Sequence, residues 1–226
     1  MSELADRVWP EITGAGVLAI PVGSTEQHGP HLPFSTDTDV AVALARALAA
    51  RREDVLVAPA MPYGSSGEHQ GFPGTLSIGP SAIETVLLEL GRSATETFGR
   101  ILFVSGHGGN AIPVNRAVRR LRSEGRDALA WAPRWRGDAH AGRTETSVQL
   151  ALDPARVRLD RASPGNTAAL AELLPVMREQ GLRPVTENGV LGDPSGADAD
   201  EGARLLTEAT DDLATTVSRW LGEDGV

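Results

Sequence analysis

Residues 17–39 read VLAIPVGSTEQHGPHLPFSTDTD, and the reading of this stretch decides the architecture. Val17 to Val22 is a short continuous apolar run, the pattern of a strand buried on both faces. It gives way at once to Glu26, His28, His31, Asp37 and Asp39, interleaved with Gly23, Gly29, Pro30 and Pro33. Val40, Leu44, Ala47 and Leu48 then keep helical spacing as far as Arg51 and Arg52. Carboxylates and imidazoles gathered in one loop are the ligand set of a catalytic divalent metal. The E-x-H spacing places Glu26 and His28 on one side of an extended segment, and Asp37 returns to them after a turn-rich excursion.

The same strand–loop–helix order recurs outward from this unit. Val55 to Ala58 is a second strand, and Ser81-Ala-Ile-Glu84 has the form of a capping box opening a helix with Ile83, Leu87, Leu90 and Ala94 on one stripe. Ile101 to Val104 is the clearest buried strand; it runs into Ser105-Gly-His107-Gly-Gly-Asn110, and Pro113 suits the first turn of the helix that follows. Ala128 to Trp131 is a fourth strand, followed by a polar loop over 134–143 and a helix from near Thr144 to Leu152. Beyond lie a helix over 167–180, a Gly/Asp/Pro-rich stretch over 188–202 and a final helix over 203–221. This alternation predicts one domain over residues 1–226, a three-layer α/β/α sandwich on a mostly parallel sheet. Ligands bind such sheets at the carboxyl ends of the strands, where each polar cluster falls.

Composition narrows the chemistry. The chain has 226 residues, 41% of them hydrophobic and only 4% aromatic, so its core rests on Ala, Val, Leu and Ile. Cysteine is absent, which excludes disulfides, thiolate nucleophiles and iron–sulfur clusters. Every basic residue is Arg, which removes Schiff-base lysine chemistry. A formal charge of −9 argues against a general nucleic-acid binder. No window approaches the ~18–20 apolar residues of a membrane span. The first residues, MSELADR, lack the basic and apolar regions of a signal peptide, so a cytoplasmic protein is expected. No G-x-S-x-G elbow, P-loop or dinucleotide fingerprint occurs.

Each cluster has a plainer alternative. Around Glu26, His28 and Asp37 it is a hydrogen-bonded loop with His28 capping backbone groups, although so many ionisable groups are costly to collect without a charge partner. His31 reads as a structural or outer-shell histidine as readily as a ligand. For Gly106 to Asn110 the alternative is an anion-binding turn capped by Asn110. Glu145, in the first turn of its helix, is either a ligand or an ordinary carboxylate complementing the helix dipole. His140, in the loop ahead of it, is placed for general acid–base work. The stretch from Tyr63 to Thr75 has no metal-like spacing and reads as a substrate-facing loop through Ser66, Glu68 and His69, though Glu68 and His69 can instead pair with each other or with a neighbouring subunit. Trp135 flanks the His140 cluster and joins the substrate-binding candidates.

The motifs GSTEQHGPHLP with Asp37, EHQGFPGTLS, GHGGN and HAGRTETS, in that order, resemble the creatininase family of metal-dependent amidohydrolases. The stretch NGVLGDPSGA, with ELGRS upstream, resembles one branch in particular, the peptidases of mycofactocin assembly. The resemblance implies a two-metal site, often in hexamers, with Glu26, His28, Asp37 and His107 as ligands, Asp37 as the bridge and His140 as the catalytic histidine. Creatinine-hydrolysing members carry a Glu two residues after the GH histidine. Here that position is Gly109, and Glu145 is the candidate to complete the second metal site. Iron and zinc are the implied ions, while the donors themselves also suit Mn²⁺. For the peptidase branch, the implied substrate is the modified mycofactocin precursor peptide, whose C-terminal Val-Tyr-derived portion is released when a two-metal-activated hydroxide attacks the scissile amide. The rivals are a hydrolase of a small cyclic or formyl amide, and a non-catalytic peptide- or metal-binding protein.

Overall fold

The computed structural model describes residues 3–14 and 16–223. Its sheet consists of β1 (Val17–Val22), β2 (Val55–Val57), β3 (Arg100–Ser105) and β4 (Ala128–Trp131). The strand order is β2-β1-β3-β4, and all pairs are parallel. Alternate residues along a strand face opposite layers. Leu18, Ile20, Val22, Ile101 and Phe103 therefore pack with Ile83 and Leu87 of α2 (Pro80–Ala94) and Val114 and Leu121 of α3 (Ala111–Ser123). Val17, Ala19, Leu102 and Val104 pack on the other side. Their partners include Leu44 and Leu48 of α1 (Thr36–Arg51), Val148 of α4 (Arg143–Leu152), and Leu213 and Val217 of α6 (Ala199–Leu221). The result is the three-layer α/β/α arrangement expected from the alternation of runs.

Strand order places the site. From β1 the chain passes through α1 to β2 on one side, then crosses through α2 to β3 on the other. The loops leaving β1 and β3 thus open side by side, with Val22 in register with Ser105. A crevice at such a reversal of strand order is where ligands bind in open parallel sheets. Opposite this crevice, α5 (Leu170–Gln180) stands off the sheet and packs through Leu173 with Phe72, Leu182 and Leu191 in a small core of its own. No helix among the described residues is long and apolar enough to cross a membrane.

Several boundaries differ from the sequence reading. The expected capping box at Ser81 and Glu84 does not form: the N-cap is Gly79, two residues earlier, and α2 starts at Pro80. Proline's fixed φ and missing N–H suit the first helical position, and that choice carries Ser81 inside the helix. α1 begins at Thr36, so Asp37 belongs to its first turn and not to the preceding loop. α6 begins at Ala199, because the Asp198 carboxylate accepts the N–H groups of Asp200 and Glu201 and caps the helix there.

Candidate metal centre

Six segments deliver side chains to the crevice. The loop after β1 supplies Glu26 and His28, both at 1% exposure or less. The first turn of α1 supplies Asp37, the loop after β3 supplies His107, and the short turn Gly67–His69 supplies His69. His140 and Glu145 come from the start of α4 and the loop before it. Asp37 is central: its Oδ1 lies 3.2 Å from His28 Nε2 and its Oδ2 3.1 Å from His107 Nδ1. Ser24 Oγ donates to the same Oδ2 at 2.6 Å. Glu26 faces His107 at 3.3 Å and His69 at 3.5 Å, and Glu145 Oε2 lies 3.9 Å from both His28 Nε2 and His140 Nδ1.

Local backbone choices make this convergence feasible. β3 leaves the sheet at Gly106, where a Cβ would stand 2.1 Å from the Asp37 carbonyl oxygen, so only glycine lets the loop lie against α1. Between His140 and Glu145 the chain turns at Ala141, whose φ of 53° makes it the one non-glycine residue with positive φ among the described residues. That conformation costs roughly 1–2 kcal/mol. It aims the Ala141 N–H at Glu145 Oε2, 2.6 Å away, and so holds the carboxylate beside His28.

The side chains divide by charge. Burial pushes Asp37 upward, but His28 and His107 outweigh it and hold the carboxyl well below its usual range. Burial likewise opposes protonation of His28 and His107, yet the surrounding carboxylates, Asp37 and Glu26 among them, raise both to about 10. Burial lifts Glu26 to about 7 against the pull of His107, and it also raises Glu145. His69, at about 3, and His140 are lowered, first by burial and then by the positive charge of His28. Two imidazoles are thus cationic and two neutral at pH 7.

Donor atoms within 4.8 Å of one another form three ligand-capable groups: Glu26, Asp37 and His107; His28, Asp37 and Glu145; and Glu26, His28 and His140. The first two share Asp37. The residues fit a cation in a further respect: Glu26 Oε2 is buried without a hydrogen bond. His107 Nε2 is only 3.3 Å from it, but that nitrogen makes its hydrogen bond with the Ser65 carbonyl at 2.9 Å. A carboxyl oxygen of this kind, cut off from water, is costly to ionise unless something positive meets it. A ligating histidine must be neutral at the bonding nitrogen, and both His28 and His107 keep their protons below about pH 10. Metal uptake at pH 7 is therefore expected to release protons, and affinity to weaken by up to about tenfold per proton displaced for each pH unit of acidification. Calorimetry in buffers of different ionisation enthalpy checks this; binding with no proton release contradicts it.

The crevice opens into a cavity of about 800 Å³. Glu26, Asp37, His107, His140 and Glu145 form part of its lining, together with Glu68 and His69. Glu68 and His69 both border the cavity, and His69 Nε2 also lies 3.5 Å from Glu26 Oε1. Ser66 is fully buried behind the wall, its Oγ 3.4 Å from His107 Nε2. Trp135 is not brought to the cavity; it is half-buried against the core beneath β4 and α6. His31 also stands apart, its Nε2 2.9 Å from the Thr146 hydroxyl. Asn110 does not cap its turn with its side chain but ties two loops together, accepting from Ser65 N–H and donating to the Gly23 carbonyl, each at 2.9 Å. The sequence reading missed Gln27, and it missed the cavity's apolar wall of Ile112, Leu170, Leu174 and Met177. The exposure of Ile112 and Leu170, 63% and 41%, is a signal only the structure supplies.

A Glu at position 109 has no room here, since even a Cβ would stand 2.3 Å from the Ser65 carbonyl oxygen and 2.4 Å from His107 Nε2. Glu145 occupies the neighbourhood of His28 and Asp37 instead.

A family model described as creatininase, creatinine amidohydrolase, matches residues 5–217. The chain is 51% identical over 229 residues to the mycofactocin precursor peptide peptidase of Mycobacterium ulcerans (strain Agy99), across 96% of this chain and 89% of that protein. Among solved structures, a manganese form of creatininase superposes with a TM-score of 0.84 at 24% identity, over 96% of this chain and 98% of that one. A zinc–zinc form of a creatininase variant gives 0.82 at 24% identity, over 96% and 97%.

Proposed function

The chain belongs to the creatininase family, and from that membership we propose that it is a cytoplasmic, metal-dependent peptidase that cuts the modified mycofactocin precursor peptide and releases its C-terminal Val-Tyr-derived portion. The observation that carries the chemistry is the sharing of Asp37 by two ligand groups beside a cavity of about 800 Å³. A space of that size suits a peptide segment better than a small cyclic amide. The identity to the Mycobacterium ulcerans peptidase supports the choice of substrate.

Glu26, Asp37 and His107 would hold one divalent ion, and His28, Asp37 and Glu145 the other. Cations bound there supply electrophilic activation of the scissile carbonyl and of water. Zn²⁺ and Fe²⁺ suit this mixed carboxylate–imidazole set, as does Mn²⁺. His140, with Nδ1 3.9 Å from both Glu26 Oε1 and Glu145 Oε2, takes the proton of the attacking water and delivers it to the departing nitrogen. Ile112, Leu170, Leu174 and Met177 give the peptide an apolar surface, and Glu68 offers it a polar contact. Exposed Phe34, Tyr63, Leu76 and Ile78 provide area for a second copy, in keeping with a homo-oligomer of up to six chains.

The test is mass spectrometry after incubating protein reconstituted with zinc or iron(II) with the modified precursor peptide, and separately with creatinine and formamides. Release of the C-terminal portion from the peptide alone is expected. Turnover of the small amides with the peptide left whole would instead mark a small-amide hydrolase, and peptide binding without cleavage a non-catalytic carrier.

A further inference from the structure

Gln27 lies behind the cavity wall, 5% exposed. Its Nε2 donates to the Gly189 carbonyl at 3.0 Å and lies 3.0 Å from His69 Nδ1 and 3.2 Å from His140 Nε2. Its Oε1 accepts the Gly29 N–H at 2.8 Å. A main-chain carbonyl only accepts and a main-chain N–H only donates, so these two contacts settle which end of the amide is nitrogen without appeal to the imidazoles.

The remaining protons then follow by valence. Of the two amide hydrogens, one goes to Gly189. His140 Nε2 also lies 2.9 Å from the main-chain oxygen of Gln27, which has no hydrogen to give, so that ring nitrogen is the donor and carries a proton. A protonated Nε2 does not accept from the amide. The second amide hydrogen therefore goes to His69 Nδ1, which must hold a lone pair, and the ring proton of His69 sits on Nε2.

We propose that Gln27 is a positioning residue that fixes opposite roles on two imidazoles, so that His69 presents an N–H to the cavity and His140 presents a lone pair. The outward atoms are His69 Nε2, 3.5 Å from Glu26 Oε1, and His140 Nδ1, 3.9 Å from both Glu26 Oε1 and Glu145 Oε2. The ring centroids are 4.5 Å apart, close enough for one bound amide to meet both. In the hydrolysis proposed above, on which this division of labour rests, the attacking water gives a proton to His140 Nδ1 as its oxygen bonds to the carbonyl carbon. The carbon–nitrogen bond breaks as that proton passes to the departing nitrogen, and His140 returns to its starting form. His69 keeps its proton throughout and donates a hydrogen bond to the carbonyl oxygen as it gains charge. A neutral imidazole held in one tautomer does this without exchanging protons with solvent.

Neutron diffraction from crystals of the zinc-loaded full chain in D₂O reads these atoms directly. Deuterium is expected on Nε2 of both His69 and His140; a deuteron on Nδ1 of either ring overturns the assignment, whether or not the chain cleaves the precursor peptide. The functional arm is Gln27→Leu, which removes the amide but keeps the main-chain oxygen that orients His140. Its kcat is expected to fall ~10–100-fold, the usual cost of losing an outer-shell partner, with zinc content and KM unchanged. Undiminished kcat, or a fall explained by lost zinc, overturns the positioning role. Should the variant fail to fold, the deuteron positions in the unaltered chain still decide.

Discussion

Asp37→Ala is expected to lose both bound ions together, and with them all measurable peptide cleavage. Asp37 belongs both to the group with Glu26 and His107 and to the group with His28 and Glu145, and it is 3% exposed. Its carboxylate oxygens lie 3.2 Å and 3.1 Å from those two imidazoles. Each cation position would drop to two protein ligands, so the loss in affinity should exceed the ~10–100-fold typical of an outer-shell partner. Breaking a buried charge pair in this way also costs about 3–5 kcal/mol of stability, because the partner charges are left uncompensated. Asp37→Asn, which keeps the volume and an acceptor for Ser24 Oγ, separates loss of metal from loss of fold. Elemental analysis of the folded fraction is the measurement, and two ions per chain in both variants would refute the shared-ligand assignment.

His140→Ala should behave in the opposite manner, keeping both ions while turnover falls by ~10²–10⁴-fold, the range for a general acid–base group. The reason lies in how the groups overlap. His140 appears only with Glu26 and His28, and each of those two already belongs to a group completed by Asp37. Removing His140 therefore leaves both Asp37-centred groups intact. Its ring lies 4.3 Å from that of His28, centroid to centroid, so alanine also opens space beside a ligand; metal content must be measured alongside the rate. Loss of one ion would make His140 a ligand, and undiminished turnover would deny it a part in proton transfer.

The elements legible in the sequence are those whose signal is local. β1 and β3 stand in the sheet's interior, so they read as unbroken apolar runs, and the polar residues after them could only fall at the carboxyl end. Glu26, His28, Asp37, His107 and Glu145, picked out by residue type and resemblance, are brought within reach of one another for the same reason. Gln27 was illegible because its side-chain partners His69, His140 and Gly189 lie 42, 113 and 162 residues away, and an amide has neither a hydrophobic period nor a ligand's chemistry to announce it. His69 reads as a cavity-facing residue from its loop and does line the cavity, but nothing in its own segment shows that its ring also meets Glu26. The α5 wall escaped notice because an apolar stripe on a helix normally means core, and here part of it borders open space. Trp135 failed in the opposite direction: adjacency in sequence to His140 put it near the site, while its ring found the core.

The tight packing around Gly109 bears on how relatives with different substrates diverged. A lineage carrying the glycine cannot gain a side chain here in one step, because even its Cβ would strike the Ser65 carbonyl and the His107 ring. The segment bearing Ser65 has to shift before any side chain fits at this position. Ancestral sequences along that route should therefore show a change near Ser65 before the glycine is replaced.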